Sequence, residues 1–210
     1  MNQLNERGDE KTSERILRKA EEILANEGYD GLSMRKIAAR VGISQAAIYR
    51  HYSDKAQLVA RIVAAGYGRL VAMAERVFAA QGSAEDKLRS AIRGYIELSL
   101  ERPELFKAVM LRDIGPAQKG AEVLAEGVSS GRRTFALLAQ TLAAGMEAGT
   151  FRRADPEITA QAVWAAMYGL AARLILERVP PGPRRVALVD GLAEIVAAGL
   201  RGEGKVNETR

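Results

Sequence analysis

The stretch "VGISQAAIYRHYSDK", Val41 to Lys55, decides the fold of this chain, gathering its only histidine, two of its six tyrosines and two cations around a glycine turn. Gly42 breaks whatever helix precedes it. Ser44 is placed to cap a very short helix, Gln45 to about Tyr52, in which Ile48 and Tyr52 form an apolar pair one turn apart. Upstream, Ser33 can cap a helix from Met34 to about Arg40. There Met34, Ile37, Ala38 and Val41 fit the i, i+3, i+4, i+7 template of a single buried face. Inward, Ile37, Ala38, Val41, Ile43, Ile48 and Tyr52 can close a small core. Outward, Gln45, Ala46, Tyr49, Arg50 and His51 are left to solvent.

Helix, glycine turn and second helix at this spacing form a helix-turn-helix. The second helix is too short to be stable for packing alone, and its outward residues suit a duplex. Gln45 can both donate to and accept from a base edge in the major groove. Ala46 and Ala47 allow close approach and offer methyl contact to thymine. Tyr49, Arg50 and His51 supply hydrogen bonds and charge for the flanking phosphates. Lys55 adds a cation in the first turn of the next helix, whose free N–H groups already favour an anion. From Met34 to Lys55, Arg35, Lys36, Arg40, Arg50 and Lys55 stand against Asp54 alone, a local charge of +4 within a chain of net charge +5. A basic helix with exposed tyrosines is ordinarily just a solvated surface. Here turn, caps, core pattern and polar face all agree in register.

Away from this stretch the chain reads as helix throughout, with no sustained period-two alternation, so the fold class is all-α with about nine helices. Ile16, Leu17, Ala20, Ile23 and Leu24 mark one face of a first helix that Asn26 and Gly28 end. Ser53 or Asp54 caps a fourth helix running through Leu58, Ile62, Leu70 and Val77, which Gly66 and Gly68 can bend. Ser83 with Asp86 resembles a capping box before a helix carrying Leu88, Ile92, Tyr95 and Ser99. Pro103 restarts a short helix, "DIGPAQKG" breaks the chain, and a long helix carries Phe135, Leu138, Leu142 and Met146 to Gly149. Asp155-Pro156 opens a helix to about Arg178, where "VPPGP" ends it, and a last helix spans Arg184 to about Leu200. The expected domains are a flexible leader (1–11), a helix-turn-helix domain (12–58), a linking helix (59–80), a larger helical domain (81–200) and a disordered tail (201–210).

Composition narrows the function. At 210 residues and 48% hydrophobic content the chain can bury a substantial core. It has no cysteine and one histidine, which excludes disulfides and thiolate chemistry and leaves no metal site or cofactor to expect. The polar N-terminus lacks the apolar segment of a secretory signal. The longest uncharged apolar block, Ala162 to Ala172, stops at Arg173, short of a membrane span, so a cytoplasmic location with no membrane partner is expected. The sequence pI near 9.6 favours an anionic partner.

Residues Ser13 to Val63 resemble the DNA-binding domain of the tetracycline-repressor (TetR) family of transcriptional regulators. The resemblance is carried by "GYDGLSM", "MRKIAARVGIS" and "AAIYRHYSDKAQL". It implies base contacts from Arg35 and Gln45, with Ala46 and Ala47 at the groove, and phosphate contacts from Ser33, Tyr49, His51 and Lys55. Arg50 sits where the family varies. With the cap residue Ser44 these make up the expected DNA-facing set. Position 52 is more often phenylalanine in the family, and Tyr52 should fill the same core slot with its hydroxyl at an edge. "ERPELFKAVM" followed downstream by "WAAMYGL" resembles one C-terminal subclass in which a tryptophan precedes a His-Gly pair; Tyr168 replaces that histidine.

In such regulators the rest of the chain houses dimerisation and ligand recognition. "AVWAAMYGLAA" is apolar around its whole circumference. In the last helix Asp190, Glu194 and Arg201 form a polar stripe, with apolar residues over most of the circumference and alanines and glycines permitting close approach. Helices 156–178 and 184–200 are therefore expected to form a homodimer interface. Phe106, Met110, Phe135, Leu138, Leu142, Trp164, Met167 and Tyr168 are the candidates for a pocket taking a small apolar effector. The reading is a ligand-responsive dimeric repressor on a palindromic double-stranded operator. Two alternatives stand beside it: an all-α enzyme using Glu97, Glu101 or Asp113, which lacks a nucleophile–base–orienter arrangement, and a helical module whose basic face meets acidic proteins or lipid.

Overall fold

The computed structural model of the chain describes residues 3–107 and 121–202, and every regular element in them is a helix. In chain order these are α1 (Gln3–Gly31), α2 (Met34–Val41), α3 (Gln45–Tyr49), α4 (Lys55–Ala79), α5 (Ala84–Glu101), α6 (Pro103–Phe106), α7 (Ala121–Glu147), α8 (Pro156–Leu176) and α9 (Pro183–Leu200). The candidates Met110 and Asp113 lie outside the described residues, as do 203–210 of the expected tail. The described residues divide into two compact units at Tyr67–Gly68 inside α4. The segment that begins at Arg102 belongs to the first unit, although the sequence reading placed it with the larger helical domain.

The first unit is built on the buried face of α1, where Ile16, Ala20, Ile23 and Leu24 meet Leu32, Ile37, Ile48, Leu58 and Ile62. α1 reaches back to Gln3, into the stretch read as a leader, and its helical backbone is interrupted at Gly28, whose φ of 73° suits glycine. Leu105 of α6 joins this core, and an ion pair between Arg102 and Glu21 fastens α6 to α1.

In the second unit α5 packs on α8 and α9. The reciprocal cap before α5 is formed as expected: Asp86 N donates to Ser83 Oγ at 3.1 Å and Ser83 N to Asp86 Oδ2 at 3.3 Å. Asp155 caps α8 through the N–H groups of Glu157 and Ile158, with Pro156 in the first turn. Between α7 and α8 the buried ring of Phe151 occupies the space beside Gly145, where a Cβ would come within 2.3 Å of it. Phe151 pairs with Arg201 in an isolated antiparallel bridge, in which Arg152 N donates to Leu200 O at 2.8 Å and Gly202 N to Thr150 O at 3.1 Å. Arg201 and Gly202, read as the start of the tail, are thus bonded into this unit.

By length and composition α8 is apolar enough to cross a membrane, although the apolar block Ala162 to Ala172 alone falls short of a span. Its buried positions, among them Val163, Met167, Ala171 and Ile175, pack inside the second unit, as those of a core helix do.

Candidate nucleic-acid interface

The sequence locally dictates how α3 is presented. Ser33 Oγ accepts from Lys36 N at 3.3 Å and starts α2; Gly42, at φ 76°, ends it in the left-handed conformation. Two residues later Ser44 Oγ accepts from Ala47 N at 3.1 Å and starts α3. Each serine hydroxyl, an acceptor in its cap, retains a hydrogen that it can donate. α3 ends at Tyr49, earlier than the expected Tyr52, because the chain tightens into a turn. The N–H groups of His51 and Tyr52 both return to Ile48 O, at 2.9 and 3.0 Å. Ile48 is fully buried and Tyr52 nearly so, giving this five-residue helix two anchors spaced as the periodicity required. The Tyr52 hydroxyl meets Ser13 Oγ of α1 at 2.8 Å, at the edge of the core.

α4 begins at once. Asp54 Oδ1 accepts from Gln57 N and Gln57 Oε1 accepts from Ser53 N, both at 2.8 Å. Caps and apolar anchors together leave one outward surface. Ser33, Arg35, Ser44, Gln45, Ala46, Tyr49 and Arg50 are exposed on it, and Ala47, His51 and Lys55 are half-buried. Tyr49 is 47% exposed, unusual for a large ring that has a core beside it.

The cations of the segment are not equivalent. Arg35 and Arg50 make no ion pair among the described residues. Lys36 pairs with Glu27, and Arg40 Nη2 lies 3.8 Å from the same carboxylate. Lys55 Nζ donates to Tyr29 O at 2.6 Å and stands 3.8 Å from the Tyr29 ring centroid. Its partial burial pulls its pKa below the ordinary lysine value, against the pull of Asp30. Lys55 is therefore pre-positioned by Tyr29, a partner that no local pattern could reveal.

The family models match the chain over residues 16–62, as "Bacterial regulatory proteins, tetR family", and over 88–203, as "Tetracyclin repressor-like, C-terminal domain". The chain belongs to the TetR family. A curated relative, the HTH-type transcriptional activator FasR of Mycolicibacterium smegmatis, is 24% identical over 156 residues, covering 74% of this chain and 70% of the relative. A tetR-family bacterial regulatory protein from Rhodococcus RHA1 superposes with a TM-score of 0.74 at 22% identity, over 92% of this chain and 98% of its own. The transcriptional regulator FadR of Bacillus subtilis, solved in complex with stearoyl-CoA, superposes with a TM-score of 0.73 at 18% identity, over 89% and 98%. This TetR-family chain thus places all ten DNA-facing candidates on one unit, between Ser33 and Lys55.

Of the candidates for a ligand pocket, Phe106 is buried in the first unit, and Phe135, Leu138, Leu142, Trp164, Met167 and Tyr168 belong to the second. Leu138, Leu142 and Met167 are buried. The rings of Phe135, Trp164 and Tyr168 form a row, with centroids 5.7 and 5.1 Å apart and the second pair stacked. Beside them an open groove of about 880 Å³ is lined by Phe135, Ala136, Ala139, Ile158, Gln161, Trp164 and Ala165.

Proposed function

We propose that the protein binds a palindromic operator as a homodimer, laying one α3 in each of two successive major grooves, and that a small apolar effector controls this binding. The observation that carries the reading is the α3 face. Gln45, Tyr49 and Arg50 stand exposed on a helix that Ser44, Ile48 and Tyr52 hold in register. Gln45 and Arg35 would read base edges; Ser33, Ser44, Tyr49, Arg50, His51 and Lys55 would hold the backbone, with Ala46 and Ala47 against the groove floor.

The dimer reading is supported by apolar residues that the chain leaves uncovered: Ile158, Ala162, Ala165, Gly169 and Leu176 on α8, and Val186, Ile195, Ala198 and Gly199 on α9. Ile158 is 66% and Ile195 72% exposed, and so continuous an apolar surface fits an isologous contact between copies. Two-fold symmetry of the protein then demands a palindrome, with half-sites about 34 to 36 Å apart or one further step. For the effector, the aromatic row of Phe135, Trp164 and Tyr168 suits an apolar ligand. The stearoyl-CoA bound to FadR favours a fatty acyl group. Such a regulator works in the cytoplasm.

Selection of bound fragments from random duplexes, followed by light scattering of the free protein, tests the core of this reading. The expected result is a palindromic motif and a dimer at micromolar concentration. Monomers that bind a single half-site tightly would refute it. Titration with stearoyl-CoA should change Trp164 fluorescence and operator affinity together; a saturating fluorescence change with unaltered affinity would separate that ligand from control. Release of the operator would make the protein a repressor. The curated relative carries the name of an activator, which supports a second reading in which the same contacts recruit transcription. A reporter with the operator upstream of the promoter decides between them: expression rises with the protein present only if it activates.

A further inference from the structure

We propose that Glu27 is a built-in brake on sequence-independent DNA binding, holding Lys36 and Arg40 of the interface away from phosphate; the inference rests on the DNA-binding reading above. α2 buries Met34, Ile37, Ala38 and Val41, so Arg35, Lys36, Ala39 and Arg40 make up its outer side. In a helix-turn-helix the first helix crosses the phosphate backbone, which makes this the side that meets phosphate. Lys36 and Arg40 lie one turn apart on a common edge. Glu27, near the end of α1, meets both: Lys36 Nζ donates to Glu27 Oε2, and Arg40 Nη2 stands 3.8 Å from Oε1. Lys36 Nζ also reaches Gly31 O at 3.5 Å.

The backbone is shaped around this carboxylate. Gly28, at φ 73°, turns the chain directly after Glu27. A Cβ at Gly31 would come within 2.4 Å of Glu27 Cβ, so the position tolerates only glycine while Glu27 stays where it is. A half-exposed ion pair contributes little to stability. Its effect on DNA binding is larger, because each cation that neutralises a phosphate adds about 0.9 to the slope of log affinity against log salt. The single charge of Glu27 cancels one of the two positive charges of Lys36 and Arg40, so non-specific binding is weakened while the base contacts of α3 are untouched. The ratio of operator to random sequence, which governs occupancy, rises.

The test uses the full chain, a random-sequence duplex, and fluorescence anisotropy from 50 to 200 mM salt. Glu27→Gln should steepen the slope by about 0.9 per protomer, tighten non-specific binding, and lower the operator-to-random ratio. Adding Lys36→Gln to Glu27→Gln should bring the slope back by about 0.9, to the native value. An unchanged slope in Glu27→Gln overturns the proposal, as does a double variant whose slope stays as steep as that of Glu27→Gln. If Glu27→Gln fails to fold, Glu27→Ala carries the same test, and an unchanged slope overturns the brake. A native chain that binds no duplex at low salt would instead overturn the DNA-binding reading itself.

Discussion

α3 and α9 are both amphipathic in sequence, yet they use their polar residues differently. α3 buries Ile48 and presents Gln45, Ala46 and Tyr49, the arrangement expected of a short helix on a small core. The polar stripe of α9 is engaged within its own unit, although its side chains stay about half exposed. Asp190 pairs with Arg93 at 2.7 Å, Glu194 with Arg89 at 2.6 Å and Arg201, just past the helix, with Glu85 at 2.8 Å, all along α5. Val186 and Ile195 are left outside. Polarity in a sequence marks a surface only when no other element supplies partners for it. Each helix leaves exposed the chemistry that its own unit does not use: hydrogen bonds and charge on α3, apolar area on α9.

The largest expected effect tests the apolar side of this contrast. Ile195→Glu should break the proposed dimer. Losing two buried isoleucines at about 1.5 to 3 kcal/mol each weakens association by more than 100-fold. Sedimentation should then show monomer at micromolar concentration, and operator binding should fall with it. Unchanged sedimentation would place the dimer contact elsewhere.

Phe151→Ala acts within the second unit and should destabilise it by about 3 to 5 kcal/mol, since the ring is buried beside Gly145 and its loss leaves a cavity. Thermal unfolding followed by circular dichroism measures it. A melting temperature within a degree or two of the parent would mean that the bridge to Arg201, not the ring, secures α9.

On the polar side, Gln45→Ala should cost about 1 to 3 kcal/mol of operator affinity and relax base preference at one position per half-site. Tyr49→Phe, by contrast, should weaken all sequences alike. A binding-site selection on each variant distinguishes the two, and an unaltered motif for Gln45→Ala would shift the register of α3 in the groove.

The smallest effect concerns the charges between α5 and α9. Hydrogen bonds from Arg201 and then Arg89 hold the Glu85 carboxyl at a pKa of about 2. Because the folded-state value is depressed, its stabilisation is present above the ordinary carboxylate range and is lost as pH falls through about 2. Glu85→Gln should flatten that acid decline and change stability at neutral pH by no more than about 1 kcal/mol. Chemical denaturation at several pH values from neutral downward checks it, and an equally steep decline in the variant would assign the loss to other carboxylates.

Much of the interface was legible because its determinants are local. Ser33, Gly42, Ser44 and Ile48 act within four residues along the chain, where cap hydrogen bonds and helical periodicity can be read directly. The end of α3 was misjudged by three residues, since Ile48 O accepts from two successive N–H groups and the resulting turn carries Tyr52 inward as a helix would have done. The pocket candidates follow from residue type alone, and what holds Phe106 in place is not local: "RPELF" packs beneath α1 through Arg102, Glu21 and Leu105 together.

The sequence by itself determined the all-α class, the helix-turn-helix and its outward face, and the family, because these follow from periodicity, caps and a contiguous motif. The tertiary structure alone decided which of those features are available to a partner. It set Lys55 against Tyr29, gave Lys36 and Arg40 to Glu27, and turned the polar stripe of α9 toward α5. Each of those contacts joins side chains from different helices. An ion pair or a buried ring is fixed by distance in space, which the spacing of residues along one helix does not encode.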